Sequence, residues 1–250
     1  MNWKRNDSVI DLGCGDGGVT QIIKKYIPYN YKKIVACDIS ENMIKYAASR
    51  DKDERTSYRV FDIEGDLPFD LKENFNHIFS FFTLHWMRDQ QKAFNNIFNI
   101  MTEGGDCLLS ILGYTPIYHL FNTIGRTSKW NSSWLKDLDC FISPYYAMEN
   151  MEARITEMME TIGFSDIEVK NNKITYIFDD GLELKNLIKS VEPYRMPKYV
   201  FEDFIRDCLV VGQDIGLLEP TAHGLEDYNK KIKYTYNLIV IYAKKPNKMS

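Results

Sequence analysis

Several things are scarce or absent in this 250-residue chain, and each absence removes a class of function. Cysteine is sparse: Cys14, Cys37, Cys107, Cys140 and Cys208 are scattered and odd in number, with no CxxC pair and no Cys/His cluster. A disulfide framework or a zinc site is therefore not indicated. Each thiol reads as a small buried hydrophobe, and the compartment as a reducing cytoplasm. No metal site of another kind is legible. No run approaches the ~18 consecutive apolar residues of a membrane span. No basic segment followed by an apolar stretch opens the chain, so no signal peptide is expected at Met1-Asn2-Trp3-Lys4-Arg5. Positive charge is not in excess: 31 Lys+Arg against 35 Asp+Glu leave a net charge of −4. That balance argues against a dedicated nucleic-acid binder. There is no internal repeat, no low-complexity tract and no Pro/Gly/Ser-rich linker. Of the four histidines, His119 and His223 have no readable partner.

What remains is ordinary for a globular protein with a core: 44% hydrophobic and 26% charged residues. Short apolar runs alternate with helical patterns over the first 112 residues. Strands are expected at 8–12, 33–38, 58–62, 77–84 and 106–112. Helices are expected at 20–26, behind an N-cap at Ser40 with Met43, Ile44, Ala47 and Ala48 on one face, and at 90–101, stopped by Gly104-Gly105. Strand–helix alternation implies an open, mostly parallel sheet with helices on both faces. From residue 113 the rhythm changes. Residues 114–146 are aromatic-rich and irregular. Helices follow at 147–162, 182–191 and 198–217, a strand at 164–178 broken by a turn at Asn171-Asn172, and a last strand at 234–243. The tail Lys244-Lys245-Pro246-Asn247-Lys248 reads as solvated. One domain spans 1–250, with 1–112 as the cofactor-binding half and 113–163 and 180–233 as helical segments capping the substrate.

Asp11-Leu12-Gly13-Cys14-Gly15-Asp16-Gly17-Gly18 follows the first strand and opens a helix. Gly13, Gly15 and Gly18 fit the dinucleotide pattern GxGxxG, which is weak alone. Asp38 ends the second strand, where a ribose-binding acid belongs. A helix N-terminus that receives pyrophosphate is a poor place for carboxylates, yet Asp11 precedes the loop and Asp16 lies in it. Two acids there suit a ligand with a cationic end, and S-adenosylmethionine carries an ammonium, a sulfonium and no phosphate. Asp62, ending the third strand, can accept an adenine amino group; its alternative is a solvated acidic turn with Glu64 and Asp66.

These motifs, with Gly104-Gly105-Asp106-Cys107-Leu108-Leu109, resemble the class I S-adenosylmethionine-dependent methyltransferases. The resemblance implies a Rossmann-like α/β fold: seven strands, mostly parallel, the last antiparallel, with a helical insertion. It implies a cofactor set of Asp11, Gly13, Cys14, Gly15, Gly17, Asp38, Ile39, Met43, Asp62, Ile63 and Ser80, holding S-adenosyl-L-methionine and releasing S-adenosyl-L-homocysteine. In that set Asp38 grips the ribose and Asp62 with Ile63 flanks the adenine. The stretches 77–87 (HIFSFFTLHWM), 129–137 (KWNSSWLKD), 141–145 (FISPY) and 201–205 (FEDFI) are similar to insect juvenile hormone acid O-methyltransferases over nearly the whole chain. That family implies methyl transfer to the carboxylate of juvenile hormone acid or farnesoic acid.

A carboxylate is already ionised at neutral pH, so the chemistry needs no general base. Its main requirement is alignment in a water-poor pocket. His85 and Trp86 follow the fourth strand, at the edge where such sheets bind ligands, and are the candidates for a hydrogen bond to the substrate carboxylate. Phe82, Trp130, Trp134, Phe141 and Tyr145 are the candidate substrate wall. The plainer alternatives are that His85 caps a helix, that Trp86 is core, and that the aromatics pack the cap. The partner is then a small apolar carboxylic acid, with no nucleic acid and no membrane span; a homodimer is the candidate assembly. Family members carry a helical segment before the first strand, whereas here that strand begins near Ser8. A catalytically weak or inactive relative that still binds cofactor or ligand is therefore an alternative, and an NAD-type oxidoreductase is another.

Overall fold

The computed structural model describes residues 1–131, 134–135, 138, 141–192, 196–216 and 231–247. In chain order the elements are β1 (Ser8–Leu12), α1 (Gly18–Tyr26), β2 (Lys33–Asp38), α2 (Glu41–Arg50), β3 (Thr56–Val60), β4 (Phe75–Phe81), α3 (Gln90–Ile100), β5 (Met101–Leu112), α4 (Pro116–Ile124), α5 (Ser128–Asn131), α6 (Met151–Ile162), β6 (Ser165–Phe178), α7 (Gly181–Val191), α8 (Lys198–Asp214) and β7 (Ile232–Lys244). All five residues of β1 are buried, as a strand covered on both faces requires. It pairs in parallel with β2, Val9 opposite Ile34, and with β4, Val9 opposite His77.

The sheet order is β3-β2-β1-β4-β5-β7-β6, with six strands running one way and β7 antiparallel. Gly104 N donates to Lys245 O and Lys245 N donates to Gly105 O, each at 2.9 Å, which sets the antiparallel register of β5 and β7. The expected class I methyltransferase architecture is thus present. The order reverses between β1 and β4, so the carboxyl ends of these two strands flank the crevice where ligands bind in open α/β sheets.

The chain divides into two compact units. One comprises Met1–Ile111, Glu149–Asn171 and Ile239–Ser250, the other Leu112–Met148 and Asn172–Leu238. In the first, α1 lays Ile23 and Ile27 against Val9, Ile34 and Phe79. In the second, α4 and α8 pack through Phe121 and Phe204, rings 5.2 Å apart and edge-on, within a cluster that includes Ile117, Phe141, Ile205 and Tyr234.

Several expected boundaries move. The helix expected to stop at Gly104-Gly105 ends at Ile100, and β5 runs straight through both glycines, because pairing with β7 holds them in the ladder. The turn expected at Asn171-Asn172 is absent: β6 is continuous, with Asn172 Nδ2 donating to Leu238 O (3.4 Å). The fourth strand ends at Phe81 rather than at 84, since Phe82 adopts a left-handed φ of 53°. The third strand lies two residues earlier than expected, at Thr56–Val60. The helix expected from 147 starts at Met151, after Asn150 at φ 51°. Within the stretch read as irregular, α4 begins with Pro116 in its first turn and buries Ile117, Leu120, Phe121 and Ile124 at helical spacing. Lys245, expected in a solvated tail, is 6% exposed; its Nζ donates to Met101 O (3.1 Å) and sits 3.2 Å from Glu73 Oε1. Cys140, His223 and Lys248 lie outside the described residues.

At the amino-terminal edge of the sheet three ionisable side chains are buried together. His77 Nδ1 lies 2.6 Å from Asp106 Oδ1 and its Nε2 lies 2.9 Å from Asp7 Oδ2, with Trp3 tilted at 38° against the ring, centroids 3.7 Å apart. Removing one member of such a cluster leaves buried charge without its partner, which costs about 3–5 kcal/mol. His77→Ala should therefore lower unfolding stability by about that amount, read from the urea midpoint at unchanged slope. A loss below ~1 kcal/mol would show that the cluster does not brace the sheet.

Candidate cofactor and active site

The crevice is built from the loops that leave β1, β2 and β4. Gly13 N and Cys14 N both donate to Cys37 O, at 2.7 and 2.8 Å, which ties the glycine loop to the end of β2. Gly13 has φ 79°, and a Cβ placed on it would sit 2.1 Å from Thr83 Cγ2, so only glycine fits there. Thr83 Oγ1 donates to Gly13 O at 3.2 Å. The segment after β4 is thereby pressed against the loop after β1. Gly15, at φ 54°, faces open space on its Cβ side.

Asp38 braces the loop from β2. Its Oδ2 accepts from Gly15 N at 2.9 Å and its Oδ1 accepts from Ser40 N at 2.8 Å. Ser40 in turn caps α2, accepting from Met43 N (3.4 Å). Beside Asp38, Ile39 and Met43 are apolar yet 65% and 45% exposed. Asp62 accepts from Glu64 N through Oδ1 (2.9 Å), closing a tight turn, while Ile63 is buried.

Asp11 is the unusual charge. It is 1% exposed, and Thr20 Oγ1 donates to its Oδ2 at 2.6 Å. Burial pushes its carboxyl up to about 6 from 3.8; the Thr20 hydrogen bond pulls it down and the charge of Asp38 adds to the rise. Cys14 is buried, and burial pushes its thiol far above the ordinary range, with Asp11 and Asp38 adding to the effect. It is an unreactive neutral group. Ser80 is fully buried and donates to Leu12 O at 2.8 Å, holding β4 to β1.

After β4 comes a 3₁₀ turn, Leu84–Trp86. His85 is 2% exposed, and burial pushes its imidazole down to about 3, so it is neutral at physiological pH. Its ring lies 5.0 Å from that of Trp86, which is 37% exposed, and Phe82 before them is 46% exposed.

The second unit holds the other aromatics. Trp130, Phe141 and Tyr145 are 2–3% exposed, as buried as His85. Trp130 Nε1 donates to Asp207 Oδ2 (2.6 Å), Phe141 packs on Phe121 at 4.5 Å, and Trp134 is partly buried against the same cluster. His119 pairs with Tyr146 through Nδ1 and the phenol oxygen at 2.8 Å.

Three polar residues shape the crevice without having been singled out in the sequence: Thr20, Thr83 and Asn96. Asn96, on α3, donates from Nδ2 to Ile63 O and Gly65 O, both at 2.8 Å, and so fixes the loop that carries Asp62. The signal for Thr20 was faint: nine residues beyond Asp11, it lies in the first turn of the helix that the loop opens.

The donor set fits S-adenosylmethionine. A buried carboxylate that resists ionisation is relieved by a cation, Asp38 presents acceptors at the end of β2, and the uncovered Ile39 and Met43 offer an apolar bed for a flat ring. Among the described residues no group of three or more His, Cys, Asp or Glu could hold a metal ion, and no helix is long and apolar enough to cross a membrane.

The family described as a methyltransferase domain matches residues 10–109. Juvenile hormone acid O-methyltransferase of Bombyx mori is 47% identical over 246 residues, covering 98% of this chain and 88% of that protein. The chain belongs to the juvenile hormone acid O-methyltransferase family. The Drosophila melanogaster member is 31% identical, over 98% of this chain and 83% of its own length. A solved phosphoethanolamine N-methyltransferase 2 of Haemonchus contortus, in complex with phosphomonomethylethanolamine and S-adenosylhomocysteine, shares the fold at 20% identity. Its TM-score is 0.58, covering 98% of this chain and 50% of that one. Membership makes the cofactor S-adenosylmethionine and removes the nicotinamide reading of the glycine pattern.

Within this family member, the Asp11 carboxyl must be ionised to meet a cationic ligand. Affinity for S-adenosylmethionine should be constant above about pH 7 and fall about tenfold per pH unit below 6. Calorimetric titrations between pH 5 and 8 read this directly. Asp11→Asn should flatten the profile, and a flat wild-type profile would remove Asp11 from the site.

Proposed function

We propose that this chain transfers the methyl group of S-adenosylmethionine to the carboxylate of an apolar terpenoid acid, juvenile hormone acid or farnesoic acid. The observation that carries the reading is the 47% identity over nearly the full chain to a juvenile hormone acid O-methyltransferase. The site is compatible with it. When bound, the cofactor supplies an electrophilic methyl on a cationic sulfur. The acid arrives ionised at neutral pH, so no residue has to remove a proton.

The protein's task is then orientation and exclusion of water. Neutral His85 donates one N–H to the carboxylate without forming an ion pair that would hold the nucleophile back. Its fixed place on the 3₁₀ turn, beside Trp86 and two residues past the Thr83–Gly13 contact, sets that donor relative to the glycine loop. Phe82 and Trp86 supply exposed apolar surface that replaces solvent around the reacting group. Asp11, the glycine loop from Gly13 to Gly17, Asp38, Ile39, Met43 and Asp62 hold the cofactor. We assign the protein to the cytoplasm, because Cys14, Cys37, Cys107 and Cys208 are all free thiols, the state a reducing compartment maintains.

The test is transfer of labelled methyl from S-adenosylmethionine to farnesoic acid. Product is expected; cofactor binding without product would overturn the reading. His85→Ala should lower kcat at least tenfold while leaving affinity for S-adenosylmethionine unchanged. With cofactor saturating, kcat should show no histidine titration between pH 5 and 8, because His85 is already neutral across that range. A kcat rising around pH 6.5 and lost in His85→Ala would refute this role.

A further inference from the structure

Three acids, Asp62, Glu64 and Asp66, follow β3 at alternate positions, and the structure gives them different surroundings. The Asp66 side chain stands in solvent, 3.5 Å from Lys92 Nζ. Glu64 is half-buried. Its side chain crosses from the loop after β3 to the segment after β4, where Oε1 accepts from Arg88 N at 2.7 Å and from Asp89 N at 2.5 Å. A carboxylate that receives backbone N–H groups makes charge-assisted bonds, roughly twice as strong as neutral ones. These partners lie 24 and 25 residues along the chain, so no local turn dictates the contact.

Both sides of this bridge are also fixed to α3. Asn96 donates to Ile63 O and Gly65 O, the residues on either side of Glu64. Gln90, the first residue of α3, donates from Nε2 to Leu84 O (2.7 Å) and Met87 O (2.9 Å). It thereby grips both ends of the 3₁₀ turn that carries His85 and Trp86. Asp89 caps the same helix, accepting from Lys92 N at 2.8 Å. Glu64 closes a ring: loop 62–65, segment 84–89, the first two turns of α3, and back to the loop. One side of the ring holds Asp62 and Ile63, assigned above to the cofactor. The other holds His85, assigned to the acid. Glu64 N also donates to Asp62 Oδ1 at 2.9 Å, so the residue that reaches the turn sets the Asp62 carboxylate as well.

We propose that Glu64 is a positioning residue that couples the cofactor loop to the His85 turn. It transmits the seating of Asp62 and Ile63 against the cofactor to the backbone from Leu84 to Asp89, and so sets where His85 presents its N–H. Glu64 acts through these neighbours rather than by touching either ligand. The inference rests on the methyltransferase reading above and adds to it that a filled cofactor site helps to place the group that receives the acid. A coupling of this kind is a free energy shared by two sites, and it can be measured at either one.

Hydrogen exchange reads the coupling without turnover. In the wild-type protein, added S-adenosylhomocysteine should slow exchange at the amides of Trp86 and Met87 about fivefold or more. Glu64→Ala should abolish that slowing. Glu64→Gln keeps an acceptor oxygen for the same two N–H groups and should restore it. Asp66→Ala, which removes the solvent-facing acid of the same turn, should leave it unchanged. With labelled methyl transfer to farnesoic acid as a second readout, Glu64→Ala should lower kcat about tenfold or more, with the KM for S-adenosylmethionine changed far less, and Glu64→Gln should recover most of the loss. The wild-type measurement needs no variant: absence of slowing at Trp86 and Met87 would overturn the coupling. Slowing that persists in a folded Glu64→Ala protein would overturn it too, while leaving methyl transfer intact. A Gln variant as impaired as the Ala variant would also overturn it, since the carboxylate would then act by its charge and not as a pin. Coupled exchange without any methyl product would instead support the positioning role and sink the activity.

Discussion

The contact between Gly13 and Thr83 joins the two sides of the crevice. Gly13 belongs to the loop that leaves β1, and Thr83 to the segment that leaves β4. No side chain fits between them, since a Cβ on Gly13 would fall inside the van der Waals radius of the threonine methyl. The glycine loop and the turn that carries His85 and Trp86 are therefore positioned by one another, and Ser80, bonded to Leu12 O, fixes the strands beneath them. Asp38 then locks the far side of the loop through Gly15 N and Ser40 N. The crevice is defined mostly by backbone, with a few short polar side chains as pins.

That construction explains what could be read in advance. Asp11, the glycines and Asp38 announce themselves because few residues satisfy a tight turn, an open cradle and an acid at a strand end in that order. β1 and β2 are legible as continuous apolar runs, and Ser40 as a cap. The pins are not legible. Thr20, Thr83 and Asn96 are ordinary polar residues whose importance comes from partners 9, 70 and 31–33 positions away. The passage of β5 through Gly104-Gly105 was hidden for the same reason: a strand over a hundred residues later dictates it. Pro116 was different. It signalled a helix start by its own chemistry, and the crowd of aromatics around it obscured the signal.

Aromatic residues carried a second ambiguity. In sequence, Trp130, Phe141 and Tyr145 look as suited to gripping a terpenoid as to filling a core. In the structure they are 2–3% exposed and Trp130 is bonded to Asp207, so they pack within their own unit. Open apolar side chains occur in both units: Phe82, Ile22 and Tyr26 in the first, Tyr114, Tyr176 and Tyr199 in the second. Identical residue types thus form core at some positions and open surface at others in each unit, and only burial distinguishes them.

The buried Asp7–His77–Asp106 cluster has a bearing on how the sheet tolerates change at its surface. It clamps β1, β4 and β5 at the edge remote from the crevice, while Gly13 and Thr83 clamp β1 and β4 at the near edge. Strands secured at both ends behave as a stiff span. Drift in the exposed residues of α1, such as Ile22 and Tyr26, is then free to reshape the surface beside the crevice without loosening the cofactor loop. Substitution at those exposed positions leaves both the Gly13–Thr83 contact and the buried cluster untouched.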